Sequence, residues 1–401
     1  MKRILMVALD FPPCKSAGVQ RTLKFAEYLL DFGWEPIILT VEESAHEQID
    51  TSQIVSEKIK HVHRSFSYNA SRDFSFRGKY LSVMKEPDRW WTWRFTAVPL
   101  GKKLIEQYQP DVIWSTYPVS TAHNIAYYLA KHSGLPWVAD YRDPVQSRYD
   151  DTIKPVLNIS RTIEEKTINN ASAVVFTTDR ASILYQSLYP DLPLKKFHVI
   201  ENGYDEGNFQ LDEVKSGREN KTSKLTLLHS GAVYVNGRDP DEIFKALAAL
   251  KQKDEISSDN FELVFRGIDG ASYQSRITEL NITDLILFKP SISYMESLKE
   301  MMAADALLVI QGPLFRNQIP GKLFEYIRST LPILALTSKT GATADLLQNV
   351  DMAYSGEFSN ELVDGIRKIQ QLGTKARENY QTYSRYEKTR QLVTLLNELN
   401  S

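Results

Sequence analysis

At 401 residues the chain exceeds one ordinary hydrophobic core, so two domains of roughly 200 residues each are expected. Its 42% hydrophobic and 24% charged residues are an ordinary globular balance. The single cysteine, Cys14, excludes a disulfide framework and a cysteine-based zinc site. No run approaches the roughly 18 apolar residues that a membrane-spanning helix needs.

The first segment, RILMVAL (3–9), reads as a β-strand. The apolar run before Asp10 is only six residues long, which favours a strand over an export signal and leaves the sequons at Asn69, Asn158, Asn170, Asn220 and Asn281 without an expected use. A lone cysteine suits the same expectation of a reducing cytoplasm. After the strand comes DFPPCKSAGVQR, then a helix over 19–32 with Val19, Leu23, Ala26, Leu29 and Leu30 on one face. Gly18 at its start is a candidate for close backbone contact with a ligand, and Arg21 is either a surface residue or a phosphate partner.

EPIILTV (35–41) is the next strand. Residues 58–103 then form the sharpest compositional anomaly, with 11 basic and 3 acidic residues and nine aromatics, Trp90, Trp91 and Trp93 among them. The whole chain has a net charge of −2 and no recognised nucleic-acid module, so nucleic acid is not an expected partner. Two readings stay open: an anionic membrane surface met by this segment, or a solvated face with its tryptophans in the core. His61 and His63 alternate there without a third ligand at metal spacing.

DVIWST (111–116), PWVADY (136–141), AVVFTT (173–178) and FHVIE (197–201) continue the strands, with helical stretches between most of them. His123 falls inside a helix as a structural residue. VADYRDPV crowds Asp140, Arg142 and Asp143 at a strand's carboxyl end, where open α/β sheets bind ligands. The polar, Gly- and Asn-rich stretch 202–223 reads as a linker. The pattern then resumes with strands at 224–231, 261–267, 285–288, 305–310 and 332–337 and helices near 240–251, 271–281, 293–303, 321–329 and 341–348. Apolar strands alternating with helices predict two Rossmann-like, doubly wound α/β domains, whose candidate loops face a central cleft if the domains oppose one another. The expected boundaries are 1–205 and 206–379, with a C-terminal helix over 380–401 returning to the first domain.

Two loops of the second half carry anion chemistry. In HSGAVYVNGRDPDEIF (229–244), Gly231 and Gly237 make a permissive loop and Arg238 offers a fork for phosphate oxygens. In GPLFRNQIPGKLFEY (312–326), a helix beginning at Gly321 directs free N–H groups and a positive dipole end at whatever precedes it. Lys322 adds a full charge, and Glu325 lies three residues on, suited to paired hydroxyls such as those of a ribose. A plain capping arrangement with a surface Lys–Glu pair is the competing reading of that helix start.

Together these loops resemble the GT-B-fold, nucleotide-sugar-dependent glycosyltransferases of family four, over nearly the whole chain. ILMVALDFPPCKSAGVQR is similar to that family's N-terminal loop, with Ala17 where a glycine is frequent. Residues 110–145 resemble members that build bacterial cell-surface polysaccharides, and VIENGYD (199–205) resembles the approach to the interdomain linker. The family has two glutamates eight apart; aligned on E-x6-P-I, the second falls on Glu325, with Pro332 in register, and the first on Asn317, which is not an acid.

The resemblance implies a nucleotide-diphosphate sugar as donor, contacted by Gly18, Gly231, Arg238, Asn317, Gly321, Lys322, Leu323 and Glu325. Asp143, Arg238 and Lys322 are then the candidate catalytic residues. It further implies retention of anomeric configuration. No metal and no separate cofactor are expected. The acceptor is expected to be a glycan or lipid-linked molecule, and the location cytoplasmic, peripheral on the inner face of the cell membrane. A nucleotide-sugar 2-epimerase and a non-catalytic nucleotide-sugar-binding subunit are the alternatives, the latter kept open by Asn317.

Overall fold

Runs such as LMVAL and VVFT lack polar alternation, so strands built from them must be covered on both faces. The computed structural model arranges them in that way. It describes residues 1–16, 18–50, 54–77, 79–145, 158–210, 224–231, 233, 237–372 and 380–400. The expected linker therefore falls largely outside the described residues, as do Ala17, Ala232 and 234–236 of the two candidate loops. The chain divides into two units: Met1–Asn202 with Arg385–Ser401, and Gly203–Ser384.

The first unit holds β1 (Lys2–Val7), β2 (Trp34–Val41), β3 (His61–Ser65), β4 (Val112–Tyr117), β5 (Trp137–Tyr141), β6 (Ala173–Phe176) and β7 (Phe197–Val199). They form one sheet in the order β3-β2-β1-β4-β5-β6-β7, parallel throughout. Alternate residues point to opposite faces. Leu5, Val7 and Ile113 join one apolar layer with helices Trp93–Tyr108 and Ser120–Ser133. Ile4, Met6 and Trp114 join the other with helix Val19–Leu29. The C-terminal helix Arg385–Leu399 completes that second layer through Leu392 and Leu396, and Lys388 donates to Glu201 at 2.8 Å.

The second unit repeats the plan with β8 (Leu225–Ser230), β9 (Phe261–Arg266), β10 (Ile286–Lys289), β11 (Ala306–Gln311), β12 (Ile333–Thr337) and β13 (Ala353–Gly356). Their order is β10-β9-β8-β11-β12-β13, again parallel. Helices Asp241–Gln252 and Ser359–Gln371 cover one face. Helices Tyr294–Ala303 and Gly321–Ser329 cover the other.

Two strands and a helix were absent from the sequence expectation: β3 (HVHRS), β13 (AYSG) and Ser359–Gln371. Both strands lie at sheet edges and are only partly buried, so neither needs the apolar run that marks an interior strand. The unit boundaries also move, from 205/206 to 202/203 and from 379/380 to 384/385. Contacts of the residues that change sides fit the shift. The Arg328 guanidinium lies over the rings of Tyr204 and Tyr380 at 5.9 and 4.7 Å, and the Tyr204 N–H donates to Tyr383 O at 3.1 Å. Both chain crossings are thereby fastened to the second unit.

Candidate functional site

In the second unit the strand order reverses between β8 and β11, the point where a doubly wound sheet opens a crevice at its carboxyl edge. A cavity of about 170 Å³ lies there, bordered by Ser230, Gly231, Arg238 and the turn Pro320–Leu323. Gly231 sits at φ 142°, a conformation that an L side chain rarely adopts. A Cβ there would also stand 3.5 Å from Lys322 Nζ.

Helix Gly321–Ser329 forms because Leu323, Phe324, Tyr326 and Ile327 recur on one face and enter the core. Tyr326 fixes its position, its hydroxyl accepting the Ser230 N–H at 3.3 Å. At the other end the chain turns back through Thr330 in the left-handed region. Pro320 occupies the N-cap position, and no side chain caps the helix start. A Cβ at Gly321 would meet nothing within 4 Å. The positive end of this helix is therefore open to the cavity.

Lys322 Nζ donates to the Ser230 carbonyl and approaches Ser230 Oγ at 3.4 Å. Burial pulls its pKa below the usual lysine range; Glu325 partly restores it, and Arg238 lowers it further. An anion in the cavity would reverse those penalties. The Arg238 guanidinium lies over the Phe315 ring at 5.8 Å, a stacking that presents its edge N–H groups.

The other second-unit candidates are less central. The Leu323 side chain is in the core, and its N–H is taken by Pro320 O at 2.9 Å. Asn317 lies in the loop before the helix and outside the cavity wall. That loop is held by Gln311, whose side-chain amide reaches Phe315 O at 3.4 Å and Gln318 O at 3.3 Å. Glu325 accepts from the Tyr294 hydroxyl at 2.7 Å, and Asn208 donates to the same hydroxyl at 3.2 Å. Tyr294 escaped the sequence reading. The capping box of Ser293 and Glu296, which starts its helix, was the available signal.

The first unit brings Gly18 and Asp143 to its own carboxyl edge, but fills that edge with internal ion pairs. Arg21 grips Asp140 through two bonds of 3.0 and 2.7 Å and also donates to Ile200 O and Glu201 O. Thr116 adds a third donor to Asp140 at 2.9 Å. Arg21 is thus a buried structural cation, neither a surface residue nor a free phosphate partner. Arg142 joins Asp10 at 2.7 Å and Tyr117 O at 2.6 Å.

A Cβ at position 18 would fall 1.7 Å from Arg142 Nη1 and 2.2 Å from Asp10 Oδ2. The close approach that Gly18 permits is therefore to this chain's own ion pair. Asp143 is half-buried; burial raises its pKa against the opposing pull of Arg142 and Arg21. Cys14 is buried beside Asp10, its thiol pushed up to about 12 and so unreactive. His123 is packed inside, bonded to Ser115 at 2.8 Å, with burial depressing its pKa to about 3.

Among the described residues, no three His, Cys, Asp or Glu side chains gather as a metal ion would require. Nor, among them, is any helix long and apolar enough to cross a membrane.

Residues 18–207 match the family Glycosyltransferase Family 4. No curated protein matches the chain. Among solved structures, sucrose-phosphate synthase from Thermosynechococcus elongatus superposes with a TM-score of 0.65 at 15% identity, covering 100% of this chain and 99% of that one. Anabaena HepE in complex with UDP and glucose gives 0.64 at 13%, covering 99% and 100%. UDP-GlcNAc 2-epimerase from Methanocaldococcus jannaschii gives 0.59 at 14%, covering 99% and 100%. At these identities the structural likeness speaks for the fold, two Rossmann-like sheets in one chain.

Proposed function

We propose that this chain, whose residues 18–207 match Glycosyltransferase Family 4 and whose fold is shared with the solved structures above, moves a sugar from a nucleotide-diphosphate donor to an acceptor hydroxyl. The observation that carries this reading is the cavity of the second unit, where Arg238, Lys322 and an uncapped helix start converge. In the reaction the bond from the anomeric carbon to the diphosphate oxygen breaks, and its electron pair stays with the leaving group. The acceptor oxygen bonds to that carbon, and its proton passes to the departing diphosphate oxygen.

Negative charge grows on the diphosphate in this step. Fixed cations and N–H dipoles in a partly enclosed site stabilise it without reorganising. Lys322 and Arg238 supply the charges, and the helix start at Gly321 supplies the dipole. Glu325, positioned by Tyr294, accepts the ribose hydroxyls. We assign the reaction to the retaining, metal-independent type, with Asp143 as the first unit's contact to the reacting sugars. A role in bacterial surface polysaccharide or glycolipid synthesis follows the sequence resemblance, and the single buried cysteine suits the cytoplasm.

Lys322→Ala should lower kcat/KM by about 100-fold or more while leaving the melting temperature within a few degrees of the wild type. The measurement uses a panel of nucleotide sugars chosen by their ability to stabilise the protein thermally. Full turnover in the variant would sink the assignment. An acceptor-free assay for inverted sugar configuration separates transfer from 2-epimerisation. Donor binding without turnover on any acceptor would instead favour a non-catalytic subunit.

A further inference from the structure

The basic, aromatic segment 58–103 resolves into two parts with different environments. Trp93 is fully buried, and Trp90 packs against the core and donates its indole N–H to Ala45 O at 3.0 Å. Those two tryptophans are therefore anchors of the fold, while Trp91 donates to Met84 O at 2.8 Å in an exposed bond. What faces solvent is another set: Phe66, Tyr68, Phe74, Phe76, Leu81 and Phe95, with Phe76 75% and Leu81 65% exposed. Phe66, Tyr68, Phe74 and Phe95 are linked through Trp91 in a continuous path, Phe66 to Tyr68 at 4.7 Å, Tyr68 to Phe74 at 5.3 Å, Phe74 to Trp91 at 6.3 Å and Trp91 to Phe95 at 6.2 Å. So many large apolar groups exposed within one short segment mark an interaction surface.

Cations lie on the segment's rings: Arg77 over Phe76 at 5.4 Å, Lys85 over Tyr80 at 5.8 Å, and Arg94 over Phe95 at 4.7 Å. Asp73 pairs with Arg72, and Asp88 is held by the N–H and hydroxyl of Thr121. With 11 basic residues against 3 acidic ones, the segment keeps a net positive charge. The segment leaves the carboxyl end of β3 and is tied to the loop after β2 by Trp90, by Arg89 with Glu47, and by Asn69 with Glu47. It borders the same edge of the first sheet as Gly18 and Asp143.

We propose that the face spanning residues 66–95 docks on an anionic lipid bilayer. Rings and Leu81 would enter the boundary between headgroups and acyl chains, while Arg77, Lys85 and Arg94 meet lipid phosphates. A second copy of the chain fits less well, because a two-fold contact through this face would set its cations against one another. On the glycosyl-transfer reading above, on which this clause rests, docking also presents the first unit's carboxyl edge to an acceptor held in the membrane.

The test is co-sedimentation of the full chain with phosphatidylcholine vesicles, with and without phosphatidylglycerol at about a quarter of the lipid. The wild type should pellet with the anionic vesicles and stay in solution with the neutral ones. The pair Phe76→Ser with Leu81→Ser should weaken binding about tenfold or more. The pair Arg77→Glu with Lys85→Glu should weaken it at least as much, at about fivefold per charge removed. Both doubles should keep the wild-type melting temperature, since the four side chains are on the surface.

Wild-type binding to neither or equally to both vesicle types would overturn the proposal. So would variants that pellet like the wild type, or a dimer in gel filtration that Phe76→Ser with Leu81→Ser dissolves. Donor binding is measured in parallel. A wild type that binds donor but neither vesicle type refutes docking alone, whereas an active Lys322→Ala enzyme that still pellets refutes only the transfer site.

Discussion

The two carboxyl edges have the same topology and opposite contents. In the first unit the switch point between β1 and β4 is occupied by the chain itself: Arg21 and Asp140 are 5% and 0% exposed and satisfy each other. In the second unit the switch point between β8 and β11 holds a cavity and two cations. A Cβ at Gly18 would strike Arg142, whereas one at Gly321 would meet open space. Doubly wound topology creates a place for a ligand; whether that place is filled by protein depends on a few charged side chains. The second unit leaves Arg238 and Lys322 at the wall of a cavity, and the first locks its cations into internal ion pairs.

The contrast is broken hardest at Arg21. Replacing it with leucine leaves the Asp140 carboxylate buried without its cation, a defect that costs roughly 3–5 kcal/mol. Urea unfolding should show a loss of that size confined to the first unit, with donor binding by the second unit retained at low denaturant. A loss under about 1 kcal/mol would mean that the pair behaves as a surface ion pair, and that the first edge is as free for ligand as the second.

Acid should separate the units next. Burial lowers the pKa of His46, His63, His123 and His198, all in the first unit. Each is held neutral when folded and takes up a proton more readily when unfolded, so its stabilising contribution is lost as pH falls below the ordinary histidine value. For His123, with a folded pKa of about 3 against 6.5, the loss between pH 7 and pH 5 is about 2 kcal/mol.

In the second unit the lowered groups, apart from Lys322, are carboxylates beside cations, such as Glu206 and Asp241. Their contribution fades only as pH falls through the carboxylate range. Calorimetry should therefore show the first unit melting progressively earlier from pH 7 to 5 while the second stays level. His123→Gln should remove about 2 kcal/mol of that slope, and an unchanged slope would contradict the assignment.

How much of this was legible depended on how local each signal was. Interior strands such as LLVI and VVF declare themselves in a few residues, and both sheets were readable from them. Gly231, Arg238, Gly321 and Lys322 were readable too, because loop glycines and helix starts are short-range features. The filled edge was not readable. Arg21 and Asp140 stand 119 positions apart, and nothing near Gly18 announces that Arg142 will occupy its free space. Tyr294 meets Glu325 across 31 positions, so the residue that steadies a predicted contact was invisible while the contact itself was not. The aromatic segment misled in one respect: its tryptophans suggested an exposed face, yet Trp93 is buried in the core while Phe66, Phe74, Phe76 and Phe95 are exposed.

The smallest expected effects come from adding one methyl group at each edge. Gly18→Ala forces Arg142 away from Asp10 and should destabilise the first unit by roughly 1–2 kcal/mol through overpacking and a weakened pair. Gly321→Ala has room for its Cβ and replaces glycine in a helix, so stability should hold or rise by about 0.5 kcal/mol. The methyl group would nevertheless stand at the open helix start, where a phosphate must approach the backbone. Donor affinity measured by calorimetry should therefore fall several-fold in Gly321→Ala and stay unchanged in Gly18→Ala. If instead Gly18→Ala weakened donor binding and Gly321→Ala did not, the first edge would be the one that receives phosphate, and the difference between the two units would have been assigned the wrong way round.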